Sequence, residues 1–244
     1  MSVRVAVIDS GVHLAHPHIG RVAGGAAFGP SDASYADALG HGTAVMAAIQ
    51  EKAPEAEYYA LRVFHSALRT RVEHLIEALE WCLDNRIDIV NLSLGTANPD
   101  HAHRFETFLR KAGQLTLIAA TGSLPGTLPG VIAVNLDPEC SRDTYRYCAA
   151  TGAFAASGFP RPVPGVPQEF NLQGISFAVA NLTGFAAQAS THHLSCTSSP
   201  VGQPILAARR LLGGAGPDPQ ACAKSQIRGP EVVRQLLIQS AGLE

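Results

Sequence analysis

The chain has 244 residues, 46% of them hydrophobic and 16% charged, and a formal net charge of −2. That is enough apolar material for one large core. No lysine or arginine cluster suits a nucleic acid or an acidic membrane surface, and no run of about eighteen apolar residues suits a bilayer span.

In chain order, Val3, Val5, Val7 and Ile8 form a β-branched run over 2–8, expected to be a strand buried on both faces of a parallel sheet. Asp9 closes it, at the carboxyl end where open α/β sheets place their sites, and Gly11 permits a sharp exit. A core helix is expected over 41–50, with Thr43 able to cap it and Ala44 to Ile49 as its apolar body. Strands near 57–63, 87–93, 115–120 and 131–135 alternate with helices near 70–85 and 101–112. The pattern is that of a mainly parallel sheet with helices on both faces, as one α/β domain over 1–244. An almost uncharged helix follows over 176–190, and Val232, Val233, Leu236 and Leu237 stripe a last helix. Residues 138–173 and 192–229, rich in Pro, Gly, Ser and Cys, read as irregular, the second as a surface or partner-binding segment.

Three short segments carry chemistry. Taken singly, Asp9-Ser10 reads as a turn or helix cap and Ser176, in Gly174-Ile175-Ser176-Phe177-Ala178, as a helix N-cap. His41 differs: of ten histidines it alone lies between glycines at the first turn of a core helix. An acid, a base and a hydroxyl in glycine-flanked settings are the parts of acyl transfer by an activated serine: Asp9 orients His41, His41 takes the proton of Ser176, and Ser176 attacks a carbonyl. The Ser176 amide, at a helix start, points where an oxyanion would form.

The order Asp, His, Ser is that of the subtilisins. The chain resembles the subtilisin-like serine peptidase family through V-A-V-I-D-S-G ending near Asp9, His16-Pro17, G-H-G-T around His41 and G-x-S-x-A around Ser176. Ala53 to Val63, Ile89 to Gly95, Leu117 to Gly122 and Pro129 to Val134 resemble further family segments, so the likeness covers about 1–190. It implies a subtilisin-like three-layer fold and a peptide or protein substrate. Leu92, Ser93, Leu94 and Gly95 are then expected to bind the peptide as an added strand, and Ser93, Leu94, Gly95, Ala120, Thr121 and Gly122 to bound a neutral primary pocket.

The departures are specific. Where the family has Gly-Asn, its Asn completing the oxyanion hole, this chain has Thr121-Gly122-Ser123; losing such a donor costs about 100- to 1000-fold in turnover. Ser123 is the expected substitute, with Thr121 or Asn91 as compensating donors. Ile175, Phe177 and Ala180 replace the common Thr, Met and Pro, changing shape rather than chemistry. The turn Gln50-Glu51-Lys52 leaves no room for a calcium loop, so no obligatory metal or cofactor is expected. Ser123 to Gly130 is short, which suggests a primary pocket that is open or completed by a protein partner.

Met1 is followed at once by the first strand, with no signal peptide or prodomain pattern, and the five cysteines are odd in number. Both favour a cytoplasmic setting. Cys82 reads as a buried hydrophobe; Cys140, Cys148, Cys196 and Cys222 lack tight zinc spacing, and reduced thiols are expected over a Cys140–Cys148 disulfide. A small subtilase of this kind resembles intracellular turnover enzymes or dedicated proteases that trim leader peptides from ribosomally made peptides. The impaired oxyanion hole favours the second. The alternative from another class is a catalytically weak or inactive subtilase fold kept as a peptide-binding or assembly module.

Overall fold

Val5 and Val7 of the first strand pack into one apolar cluster while Ala6 and Ile8 pack into another, so the period-2 alternation of an extended chain splits this strand between two cores. The computed structural model in which this is seen describes residues 2–29, 34–198 and 229–243. Its strands are β1 (Arg4–Asp9), β2 (Gly24–Ala27), β3 (Glu57–Arg62), β4 (Ile89–Leu92), β5 (Thr116–Ala120), β6 (Ile132–Leu136), β7 (Tyr145–Cys148), β8 (Ala153–Ala156) and β9 (Gly242–Leu243). Its helices are α1 (His41–Lys52), α2 (Val72–Asp84), α3 (Ala102–Ala112), α4 (Ile175–Ser198) and α5 (Pro230–Ser240).

The strands form a nine-stranded sheet in the order β2-β3-β1-β4-β5-β6-β8-β7-β9. Among these ladders only β7 with β8 is antiparallel. Met46 and Ile49 of α1, Phe177, Val179 and Leu182 of α4, and Val233 and Leu237 of α5 cover one face. Leu75 and Leu79 of α2 with Phe105 and Phe108 of α3 cover the other. The three-layer α/β architecture expected from the sequence is therefore the one found, with β1, β4 and β5 buried at its centre.

Local chemistry explains the element ends. Asn98 accepts a hydrogen bond from the Asp100 amide at 3.0 Å in the 3₁₀ turn (Pro99–His101) that leads into α3, and Gly113, at φ 56°, ends that helix. In α2 the buried positions Leu75, Ala78, Leu79 and Cys82 follow helical spacing.

Three expectations are corrected, and one unexpected strand is added. The region 138–173 holds β7, β8 and a 3₁₀ turn (Gln168–Phe170). Of the supposedly irregular 192–229, residues 192–198 continue α4, whereas 199–228, including Cys222, lie outside the described residues. The strand β2 had no signal in the sequence. Thr43 does not cap α1: Gly40 is the N-cap residue, at φ 81° and without a side-chain bond of its own. No helix among the described residues is long and apolar enough to cross a membrane.

Candidate active site

The β1 ladder with β3 and β4 delivers Asp9 to the end of the sheet, where its side chain is fully buried. Its Oδ1 accepts from the Ser10 amide at 2.7 Å and lies 2.8 Å from His41 Nδ1. A carboxylate only accepts, so Nδ1 carries the proton and Nε2 is left as the basic nitrogen. The Ser10 hydroxyl accepts from the Gly42 amide at 2.8 Å, tying the start of α1 to the turn after β1. A Cβ on Gly42 would stand 2.4 Å from the Gly11 carbonyl oxygen, so only glycine lets α1 approach this closely.

Asp37, which the sequence reading passed over, fixes the other side of the same helix. Its Oδ1 accepts from the amides of Leu39 and Gly40, each at 2.9 Å, and its Oδ2 from the amide and hydroxyl of Thr43 at 2.9 and 2.6 Å. Burial works against its charge, but the bonds from Thr43, Leu39 and Gly40 outweigh it and hold the carboxyl below its ordinary value. Burial likewise opposes a charged His41; the bond and charge of Asp9, with the charge of Asp37, outweigh it and raise the imidazole above its ordinary value. The only sequence signal for Asp37 is its place four residues before the histidine.

Ser176 lies in the first turn of α4, and the ring of Phe177 beside it sits 5.6 Å, centroid to centroid, from that of His41. The Ser176 hydroxyl points at the Ser93 carbonyl at 3.4 Å, a long contact, and the Ser93 hydroxyl donates to the Ser176 carbonyl at 3.1 Å. Behind them runs a chain of bonds: the single Thr183 hydroxyl proton of α4 is shared between the Val179 carbonyl at 2.8 Å and Asn91 Oδ1 at 3.1 Å, and Asn91 Nδ2 donates to Ser93 Oγ at 2.9 Å. Asn91 and Thr183 are fully buried, so both bonds are shielded from water.

These bonds bear on the oxyanion hole. The side-chain amide of Asn91 is engaged by Ser93, and the Thr121 hydroxyl donates to Asn135 Oδ1, so neither expected compensating donor is free for an oxyanion. Ser123 remains, yet its side chain lies against the opposite segment: a Cβ on Gly95 would stand 2.5 Å from Ser123 Oγ and 2.5 Å from the Leu124 carbonyl oxygen. Thr96 and Leu124 exchange backbone bonds of 3.0 and 2.9 Å. The short stretch after Gly122 thus draws the two expected walls of the primary pocket together, and the open pocket expected from its length is not what the structure has.

The other expected substrate residues separate. Leu92 is fully buried in β4, paired to Ile8 and Ala119, so its side chain faces the core and not a peptide. Leu94 is half-buried and Gly95 exposed, and no backbone bond outside helices and strands involves either among the described residues. Ala120 pairs with Val134 at the end of β5, the Thr121 amide continues that ladder to the Val134 carbonyl at 2.9 Å, and Gly122 turns the chain at φ 77°. Cavities flank the site. One of about 240 Å³ lies between Phe64 to Leu75 and Leu94 to Thr96. Another, of about 480 Å³, lies along α1 and includes His13, His16, His18 and Arg161. Among the described residues no cluster of three or more His, Cys, Asp or Glu could hold a metal.

The sequence model of the Subtilase family matches residues 1–241. The chain is 29% identical to subtilisin E of Bacillus subtilis (strain 168) over 245 aligned positions, covering 88% of this chain and 62% of that protein. It is also 29% identical to subtilisin of Bacillus pumilus, covering 88% of this chain and 86% of that protein. It is 28% identical to the thermostable alkaline protease of Halalkalibacterium halodurans, covering 86% and 63%. In fold it is similar to a crystal structure of a cold adapted subtilisin-like serine proteinase, with a TM-score of 0.60 at 22% identity over 76% of this chain and 74% of that one. The chain thus spans 62% of the length of subtilisin E.

Proposed function

We propose that this chain, which belongs to the subtilase family, is a serine endopeptidase with Asp9 as orienting acid, His41 as general base and Ser176 as nucleophile. The observation that carries the reading is the buried Asp9 carboxylate 2.8 Å from His41 Nδ1, on a helix packed against the one that presents Ser176. The Asp9 charge favours the imidazolium that forms when His41 removes the Ser176 proton. The serine oxygen then bonds to the scissile carbonyl carbon, His41 returns the proton to the departing amine, and water resolves the acyl-enzyme. The Ser176 amide and Ser123 are the oxyanion donors, and Leu94 with Gly95 supplies the edge to which the peptide adds.

The reading extends to a dedicated cytoplasmic processing enzyme that trims leader peptides. The narrowed space at Gly95 and the shortened oxyanion donor suit one cognate substrate, and the buried cysteines Cys82 and Cys140 suit a reducing compartment. One observation favours the second reading, a peptide-binding or assembly module: the Ser176 hydroxyl points at the Ser93 carbonyl.

A fluorophosphonate probe with intact-mass readout, beside a Ser176→Ala control, separates them. One adduct that vanishes in the control is expected; no adduct on folded protein would favour the module. Efficient digestion of a panel of unrelated denatured proteins would overturn the dedicated-substrate reading.

A further inference from the structure

The cavity of about 240 Å³ beside Leu94 to Thr96 has an apolar floor and a cationic rim. Phe64 and Leu75, 5% and 3% exposed, form part of the floor, with Val72 and Leu94 beside them. The rim holds Leu68, 54% exposed, and the guanidinium-bearing Arg69 and Arg71, both exposed. No carboxylate lies within ion-pair distance of either arginine among the described residues. Glu73, the nearest along the chain, pairs with Arg104 at 3.1 Å. His101, also on the cavity, is turned to Thr96 and Asn98. This local excess of positive charge is not inherited from composition, since the chain has 18 Lys and Arg against 20 Asp and Glu.

The cavity on the other side of the site has one compensated cation instead. The cavity along α1 holds His13, His16, His18 and Arg161, and its single carboxylate, Asp37, has both oxygens occupied by Leu39, Gly40 and Thr43. Arg161 lies 3.8 Å from Glu51 and is thereby partly compensated. Arg69 and Arg71 have no carboxylate within ion-pair distance among the described residues, although the charge of Arg71 also acts on Glu73, and both stand next to the exposed edge at Leu94 and Gly95. A peptide laid on that edge directs alternate side chains to the same side, so one enters the cavity while those two residues before and after it pass the rim.

We propose that this cavity selects acidic peptides: an apolar side chain fills it, and carboxylates two residues to either side, on the same face of the extended peptide, are met by Arg69 and Arg71. The inference rests on the peptide path given under the proposed function. It deepens that path by naming the substrate class, a peptide with an aliphatic or aromatic residue set among Asp or Glu. Each exposed pair is worth a few-fold, so two arginines discriminate about tenfold at low salt, falling as salt screens them.

The test uses the full chain carrying Ser176→Ala, to prevent turnover, and three fluorescein-labelled peptides that differ only in having Glu, Gln or Lys two residues to either side of a single Leu. Anisotropy titration is expected to rank them Glu, then Gln, then Lys. The order should invert in Arg69→Glu/Arg71→Glu and level out in Arg69→Gln/Arg71→Gln, with unchanged circular dichroism in both. Equal binding of the three peptides, or a preference for Glu that survives charge reversal, overturns the inference. Fluorophosphonate labelling of the chain with Ser176 intact keeps the two readings apart. Charge-ranked binding without labelling removes the peptidase and leaves the acidic selectivity, whereas labelling with unranked binding does the reverse.

Discussion

The two halves of the site are built to different standards. On the side of Asp9 and His41, the base is closely positioned: Ser10 holds the start of α1, Asp37 accepts four bonds around its first turn, and Asp9 fixes the imidazole through Oδ1, its buried Oδ2 having no hydrogen-bond partner among the described residues. On the side of Ser123 and Gly95, Asn91 and Thr121 are bonded to other partners and the walls are drawn together by Thr96 and Leu124. The base is prearranged here, whereas the Ser176 hydroxyl it would deprotonate points at the Ser93 carbonyl and charge stabilisation is not built in. Since electrostatic stabilisation of the oxyanion is usually the larger share of such catalysis, the second half is expected to set the rate of the proposed peptidase.

The comparison is broken most directly at Asp9. Asp9→Asn removes the charge and can turn its NH2 toward Nδ1, which selects the wrong tautomer, and turnover is expected to fall about 10³- to 10⁴-fold; a loss under tenfold, measured as kcat/KM, would mean the base is not held by this contact. On the other half, Ser123→Asn supplies a longer donor and is expected to raise kcat about 10- to 100-fold, since the converse loss costs 100- to 1000-fold. An unchanged kcat would place the rate limit elsewhere than the oxyanion.

The far end of α1 tests how tightly the well-built half is held. Lys52, 8% exposed, is pushed down to about 8 by burial and then by the charge of Arg142. The folded chain therefore loses this proton before the unfolded one does, and wild-type stability rises with pH between about 8 and the ordinary 10.5. Lys52→Met should stabilise by about 2 kcal/mol at pH 7, with the gain fading above about 8, as read from denaturant midpoints across pH. A gain that does not vary with pH would assign the effect to packing instead.

The smallest effect is expected at Asp37. His41 acts as a base only when neutral, so activity rises with pH through a midpoint above 6.5. Asp37→Asn removes one of the charges that raise it, and the acid limb of kcat/KM should move to lower pH. The same variant loses about 1 kcal/mol of stability. Because the Asp37 carboxyl is held below 3.8, that contribution is present above this value in the wild type and is lost as pH falls through the folded-state value. An unmoved limb would show that Asp37 acts on α1 alone.

Much of this was written in the pattern of the chain. The β-branched run before Asp9, the compact apolar body of α1 and the helical spacing of α2 and α3 each satisfy one period, and the structure follows them. What escaped depends on partners distant in sequence. Gly24–Ala27 has no strand propensity and becomes β2 by pairing with β3, where a Cβ on Gly25 would stand 2.2 Å from the Ala60 carbonyl oxygen. Tyr145–Cys148 and Ala153–Ala156 sit in a Pro- and Gly-rich stretch but pair with each other and with β6. The proximity of Asp9 and His41 was legible because each stands at an element end with glycine beside it. The engagement of Asn91 and Thr121, and the closing of Gly95 by Ser123, were not, since no local pattern encodes which neighbour a side chain will meet.

The bonds from Thr183 through Asn91 and Ser93 back to the Ser176 carbonyl begin and end on the same helix. They bolt α4 to the tip of β4, so the nucleophile and the edge that would receive the peptide form one mechanical piece. Any widening of the cleft must then come from the opposite wall, where Leu124 is held to Thr96 by two backbone bonds. A substrate able to prise that wall away would meet a nucleophile that has not moved.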